Sequence, residues 1–450
     1  MTGLAFALLL SAAIAGYVMN RKAALALRDG GQRLHSLGMF HGLYALLLVM
    51  VPAVVVTLLW VATQAGVINW LVMSGLPEGS LDGVANPQLV LSEIQSLAQG
   101  RVFGTPDPWK IEAAERMVNL RVLSGWLLVA VIAALSAGLM LTSRRSVSAQ
   151  FRARQAVERI VLGLMITCSL VAIFVTVGII FSLVFESVRF FSMVSLTEFL
   201  FGTRWEPQMP IRADQIAAEG AFGWLPVILG TIVITAVATF IAVPVGLMSA
   251  IYLNEFASRR FRAVAKPILE ILAGIPTVVY GFFAILTVAP ALRAAGAALG
   301  IPVAPNTALA AGSVMAIMLI PFISSFADDA LSAVPQSLRD GSMALGATRA
   351  ETVTKVLFPA AIPGIVGGVL LAVSRAIGET MIVLMAAGLI AKMTLNPLDS
   401  VTTVTVQIVT LLIGDTAFDS PKTLAAFALG LMLFIVTLCI NILALRIVRK

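Results

Sequence analysis

Two groups of residues in this chain could do chemistry: an arginine and a glutamate inside an apolar run, and a compact polar loop built from helix-start and helix-stop signals. The run Ser374-Arg375-Ala376-Ile377-Gly378-Glu379-Thr380 sits about 14 residues into a hydrophobic segment, roughly 20 Å at helical rise. A charge at the centre of a spanning helix costs about 2.5–3.5 kcal/mol even on lenient insertion scales, so a partner is expected. Glu379, four residues on, falls on the same helical face. Two readings stand. The pair is a structural lock between helices, or Arg375 offers a forked donor to a passing oxyanion while Glu379 keeps the site weak enough to release it. The second makes Arg375, Glu379, Ser374, Gly378 and Thr380 the expected lining of a substrate path.

The polar loop spans 328–359. Pro335 suits the first turn of a short helix, and Leu338, Ser342 and Leu345 share one face of it. Gly346 fits the position after a helix end, where left-handed backbone costs a glycine least. Thr348 and Glu351 have the spacing of a capping box for a second helix, with Val353, Val356 and Leu357 as its apolar stripe, and Pro359 marks the approach to the next apolar segment. The spacing predicts a rigid helix–turn–helix.

Both groups must be held by membrane helices. Of 450 residues, 59% are hydrophobic and 12% charged, against about 45–50% and about 25% in soluble domains. The excess falls in nine blocks, 2–19, 40–63, 122–142, 160–185, 224–253, 267–290, 308–326, 361–390 and 423–446, each of spanning length. The net charge of +7 lies between these blocks, so it implies a lipid bilayer and no nucleic acid. Segments 20–39, 143–159 and 254–266 and the tail through Arg449 and Lys450 are basic, which places them in the cytoplasm, the N-terminus outside and the C-terminus inside. Ala13-Ile14-Ala15 has the look of a signal cleavage site, but no Lys or Arg precedes it, and the first block is read as a retained span. The chain divides near residue 150 into a 1–150 extension, with an external segment over 64–121, and a 151–450 domain.

Smaller features carry less specific signals. Gly364 and Gly368 could set a helix crossing between subunits or within this one. Gly274-Ile275-Pro276 interrupts the sixth block; a broken helix often lines a pathway, and packing alone also tolerates one. The 186–222 stretch, with Phe190, Phe191, Phe199, Phe201 and Trp205, reads as a helix on the outer membrane surface. Cys168 and Cys439 lie inside apolar blocks, and His35 and His41 have no metal-ligand companions. No cofactor or metal is expected.

The stretch Asp340-Gly341-Ser342 through Leu345-Gly346-Ala347 to Thr348, Glu351 and Pro359 resembles the coupling loop of ATP-binding-cassette importer permeases, with Asp-Gly-Ser where that motif has Glu-Ala-Ala. Arg375 to Thr380, with Trp205, Asn254-Glu255, Gly274 to Gly281 and Ile320-Pro321-Phe322, is similar to the permeases of the phosphate-specific importer, the C-type subunit in particular, over about 155–450. The resemblance implies an all-α membrane protein, a six-helix (MetI-like) permease core preceded by a three-helix extension. It implies inward transport of inorganic phosphate across the bacterial inner membrane and no enzymatic activity on this chain. No G-x-x-x-x-G-K-[ST] loop is present, so ATP hydrolysis belongs to a partner. The implied partners are a sister A-type permease in a heterodimer, two cytoplasmic ATPase subunits and a periplasmic phosphate-binding protein. A phosphate-sensing histidine kinase is a further expectation. The alternatives are a permease for another oxyanion (sulfate, molybdate or phosphonate) and an ion-driven secondary carrier.

Overall fold

Long apolar runs leave a backbone in hydrocarbon no choice but the helix, because each N–H and C=O must find its partner within the segment. The computed structural model describes residues 2–77, 87–101, 106–207, 220–413 and 420–448. Among them, nine helical stretches are long and apolar enough to cross a membrane. The basic tail residues Arg449 and Lys450 and parts of 64–121 and 186–222 lie outside the described residues. Contacts divide the chain into two units, Met1–Phe174 and Val175–Lys450.

The first unit packs α1 (Thr2–Asp29), α2 (Gly38–Met73) and, past the short amphipathic α3 (Pro87–Ala98), α4 (Pro108–Arg145). Small residues make the crossings close: Gly16 lies against Ala45 and Met140, and Gly42 against Tyr17. Ile68, Val72, Val90, Ile94 and Met117 form an outer core under α3. Asp107 and Pro108 occupy N-cap and N1 of α4, which runs unbroken into the third span. The unit boundary falls inside α5 (Ala153–Met193), whereas the sequence division lies near residue 150.

In the second unit, α6 (Leu196–Phe201) and the strand pair β1 (Trp205–Glu206) and β2 (Ala221–Phe222) follow α5. The strands are antiparallel, with Trp205 opposite Phe222. Here the expected surface helix is corrected. Phe190, Phe199, Trp205 and Phe222 are buried, with Phe190 edge-on to Phe199 and Phe222 at 5.6 and 5.5 Å between centroids. Edge-to-face pairs of this kind are worth about 0.5–1.5 kcal/mol beyond the area they bury.

Next comes α7 (Leu225–Ile251), continued by a π-helical turn over Tyr252–Phe256. Then α8 (Arg259–Gly274) ends at the extended Ile275, and α9 (Thr277–Phe283) starts behind Pro276. A second π turn, Ala284–Val288, leads into α10 (Ala289–Ala298). The sixth span is therefore 277–298, not 267–290. Residues 259–274 are excluded because Arg262, Lys266 and Glu270 interleave with Phe261, Val264, Ile268 and Ile271, an amphipathic pattern, and none of α8 is buried.

The centre of the unit is α11 (Ala308–Ser332), the most buried of the spans. Its Gly312 meets Val237 and the Ile234 carbonyl of α7. The remaining elements are α12 (Gln336–Ala344), α13 (Arg349–Thr352), α14 (Phe358–Ile377), α15 (Met381–Ala386), α16 (Val404–Leu412) and α17 (Pro421–Val448). Gly364 and Gly368 of α14 lie against Ala330 and Phe326 of α11, so this glycine pair serves packing within the chain. The loop after α15 supplies what the start of α11 lacks. Ala308 and Leu309 donate to the carbonyls of Asp399 and Pro397 at 3.1 and 2.8 Å, and Ala310 donates to the Thr307 hydroxyl at 3.0 Å. Helix-end donors are thereby satisfied without water.

Gly312→Val would push a methyl pair into Val237 of α7. It is expected to cost about 1–3 kcal/mol by overpacking, read as a lower thermal midpoint in detergent. An unchanged midpoint would contradict the close α7–α11 crossing.

Candidate functional site

The elbow of 328–359 forms from local signals. Pro335 precedes α12, and Gly346 has φ +89°. Gly346 donates to the Met343 carbonyl (3.0 Å) and Ala347 to that of Ser342 (3.2 Å), the paired closing bonds of a Schellman turn. Thr348 and Glu351 then form the reciprocal capping box of α13: the Thr348 N–H donates to Glu351 Oε2 at 3.0 Å and the Glu351 N–H to Thr348 Oγ1 at 3.3 Å. A hydrogen bond of 2.9 Å joins the hydroxyls of Ser342 and Thr352 across the turn. From α13 the chain stays helical through a π turn (Val353–Leu357) into α14, with Pro359 in its first turn. No residue of α12 is buried, and Leu345 is 91% exposed. Asp340 accepts from Gln336 at 3.1 Å, and Gly341 has open space around it. The elbow is stiff inside and bare outside.

Arg375 and Glu379 are arranged otherwise than a continuous span would have them. The helix α14 ends at Ile377 and Gly378, so the two residues do not share a face, and no ion pair joins them among the described residues. Glu379 Oε1 instead accepts from the N–H groups of Met381 (3.1 Å) and Ile382 (3.4 Å), the free donors at the start of α15. The guanidinium of Arg375 lies 5.4 Å from the Phe322 ring centroid, a cation–π contact, and the residue is exposed. Ser374 precedes it on α14, the Thr380 hydroxyl donates to the Gly378 carbonyl at 3.3 Å, and Thr405 Oγ1 donates to the Glu379 carbonyl at 2.8 Å. Thr405 lies in the first turn of α16, a nine-residue helix, too short to cross a core of about 30 Å. Its buried Gln407 accepts from Trp205 Nε1 at 2.9 Å.

A charge cluster behind the elbow was not legible from spacing. The carboxylate of Asp328, 8% exposed at the end of α11, receives Arg262 Nη2 (3.0 Å), Lys266 Nζ (2.8 Å) and Asn254 Nδ2 (2.6 Å). Glu255, next to Asn254, pairs with Arg339 of α12 at 2.7 Å with its side chain 7% exposed. Removing one member of such a buried pair costs about 3–5 kcal/mol, because the other charge is left uncompensated. The hydrogen bond to Asp328 holds the Lys266 ammonium above the ordinary lysine range. That bond therefore contributes fully below the ordinary lysine pKa and is lost only as pH rises through the raised one. The one sequence signal for the cluster is acid at span ends: Glu255 beside the basic 259–266 segment, and Asp328.

Fold and site together define the membrane-embedded permease subunit of a transporter. Residues 242–450 match the family described as Binding-protein-dependent transport system inner membrane component, and residues 6–175 match one described as Phosphate ATP-binding cassette transporter. The chain is 34% identical over 275 residues to the Probable ABC transporter permease protein YqgH of Bacillus subtilis, across 60% of this chain and 84% of that protein. It is also 34% identical over 278 residues to Phosphate transport system permease protein PstC 1 of Mycobacterium tuberculosis, across 56% of this chain and 81% of that protein. An inward-facing structure of the MetNI methionine ABC transporter aligns with 49% of this chain and 92% of its own, at 21% identity and a TM-score of 0.38. The chain belongs to the PstC-type family of ABC-transporter permeases, and is a multi-pass inner-membrane protein. It is a transport component whose ATPase is a separate subunit, and a substrate-binding protein is its other class of partner.

Gly346→Val places a β-branched residue in left-handed backbone, at about 1–2 kcal/mol. Weaker retention of the ATPase on co-purification is expected, with Gly346→Asn close to the parent. Equal retention by all three would contradict the role given to the turn.

Proposed function

We propose that this chain is the permease through which inorganic phosphate passes from periplasm to cytoplasm, driven by ATP hydrolysed on a partner. The observation that carries the reading is the elbow: a closed, internally bonded helix–turn–helix with a bare outer face, in a family whose members include phosphate transport system permeases. A rigid body can pass on a push, and an ion-driven carrier has no use for one. The surface of α12 around Leu338, Ser342 and Leu345 is the part offered to the ATPase. In this reading the basic segments face the cytoplasm, the N-terminus lies outside and the C-terminus inside.

Along the path, Arg375 supplies the forked donor, and its position over Phe322 rather than against Glu379 supports a guanidinium free to meet an oxyanion. Glu379 fixes the start of α15 and contributes negative charge that shortens the ion's stay. Ser374, Gly378 and Thr380 complete the lining. We extend the reading to a heterodimer with an A-type sister permease, two ATPase copies and a periplasmic phosphate-binding protein. The extension over residues 1–150 is the segment to examine for a link to a phosphate-sensing histidine kinase, by assaying signalling and uptake separately in its absence.

Uptake of labelled phosphate into vesicles bearing the assembled transporter tests the substrate. Excess unlabelled phosphate is expected to compete, and sulfate, molybdate and phosphonate are not; competition by one of those three alone would reassign it. Arg375→Ala is expected to lower uptake about ten- to hundredfold, the worth of one hydrogen bond to a charged group (about 1.5–3 kcal/mol), with assembly intact. Parental uptake in that variant would remove Arg375 from the path.

A further inference from the structure

Four elements meet at the C-terminal end of α11, through side chains that are far apart in sequence. Asn254 and Glu255 occupy successive positions of the π turn after α7, and they face different partners. Asn254 donates to Asp328 Oδ1 (2.6 Å) and to the Ser332 hydroxyl (2.8 Å) on α11. Glu255 takes Arg339 of α12 (2.7 Å), and Arg339 also reaches the Leu331 carbonyl on α11 at 3.4 Å. Asp328 in turn holds α8 by two cations one helical turn apart, Arg262 and Lys266. The far end of α8 is the break at Ile275-Pro276, and the Tyr280 hydroxyl of α9 bridges that break by donating to the Leu272 carbonyl at 2.8 Å.

The apolar packing of α12 cannot do this work, since none of its residues is buried. Beyond the covalent turns at its two ends and the Ser342–Thr352 bond, its tie to the spans is the Arg339 guanidinium. Glu255 is nearly sealed from water, so the attraction between the two charges is little screened. Neighbouring Asn254 ties the same turn to Asp328, and Asp328 is tied to α8.

Building on the permease reading above, we propose that Arg339, Glu255, Asn254, Asp328, Arg262 and Lys266 form a latch that carries displacement of α12 to the α8–α9 break, and so to the spans. These are positioning residues: they touch no substrate and no nucleotide. The latch makes transport, rather than ATP hydrolysis, depend on the Arg339–Glu255 pair.

The test uses the complete transporter in proteoliposomes, with ATPase, sister permease and binding protein, reading phosphate imported per ATP hydrolysed. Glu255→Gln and Arg339→Gln are chosen over Asp328→Asn, which leaves two cations facing a neutral group. Each chosen variant leaves one buried charge unpaired, so a lower thermal midpoint is expected, with assembly and ATP hydrolysis retained. Phosphate moved per ATP is expected to fall about tenfold, within the range of ordinary coupling free energies. The exchange Glu255→Arg with Arg339→Glu is expected to recover a large part of the loss. Unchanged phosphate per ATP in both single variants overturns the latch. A loss that Gly312→Val, destabilised away from the cluster, reproduces, or that the exchange leaves uncorrected, gives these residues a merely structural part and overturns it too. Failure of the permease reading shows separately, as a parental transporter that moves no phosphate on ATP.

Discussion

Hydrocarbon offers backbone amides nothing to bond with, so a chain that crosses it must satisfy each N–H and C=O from within. The spans, the crossings and the site all follow from that constraint. It makes the apolar runs helical, and it makes helix ends expensive wherever they fall inside the bundle. The structure meets those ends with named groups: carbonyls of the 397–399 loop and the Thr307 hydroxyl at the start of α11, and the Glu379 carboxylate at the start of α15. A helix end at Gly378 therefore has a use. It presents Arg375 at the last turn of α14, where a guanidinium also meets the negative end of the helix dipole.

The same constraint sorts the charges. Acids at the ends of α7 and α11 are buried while their cations reach partly into water, and these pairs tie the elbow to the bundle. Inside the elbow, stiffness comes from backbone geometry: left-handed Gly346 and the Thr348–Glu351 box close both sides of one turn. Stiffness within, bareness outside and a polar tie behind are what a part that takes up force requires. The lipid-facing surfaces need none of this and are covered by exposed Leu, Ile, Val and Phe.

Reading the chain without its structure recovers what depends on neighbours in sequence. Pro335, Gly346 and the Thr348–Glu351 spacing each act within four residues, so the elbow is legible in detail. Spans are legible because their signal is length. The sixth was misplaced because Pro267-Ile268-Leu269 and Ile271-Leu272 are apolar enough to join a span, and Glu270 alone argues against it. Arg375 and Glu379 invite an i,i+4 pair, and the counter-signal, glycine between them followed by Thr380, is the mark of a helix that stops. Partners separated by 62–74 positions, as around Asp328, leave no local trace. Neither do the rings gathered from 190–222, which composition alone sends to the surface.

The account's central claim is that this polypeptide is a passage opened by force made elsewhere. Its most direct test compares phosphate accumulation in liposomes holding this chain alone, under an imposed ion gradient, with liposomes holding the whole assembly and ATP. Accumulation is predicted only with the assembly, and only while ATP is hydrolysed. Net accumulation by the chain alone would contradict it.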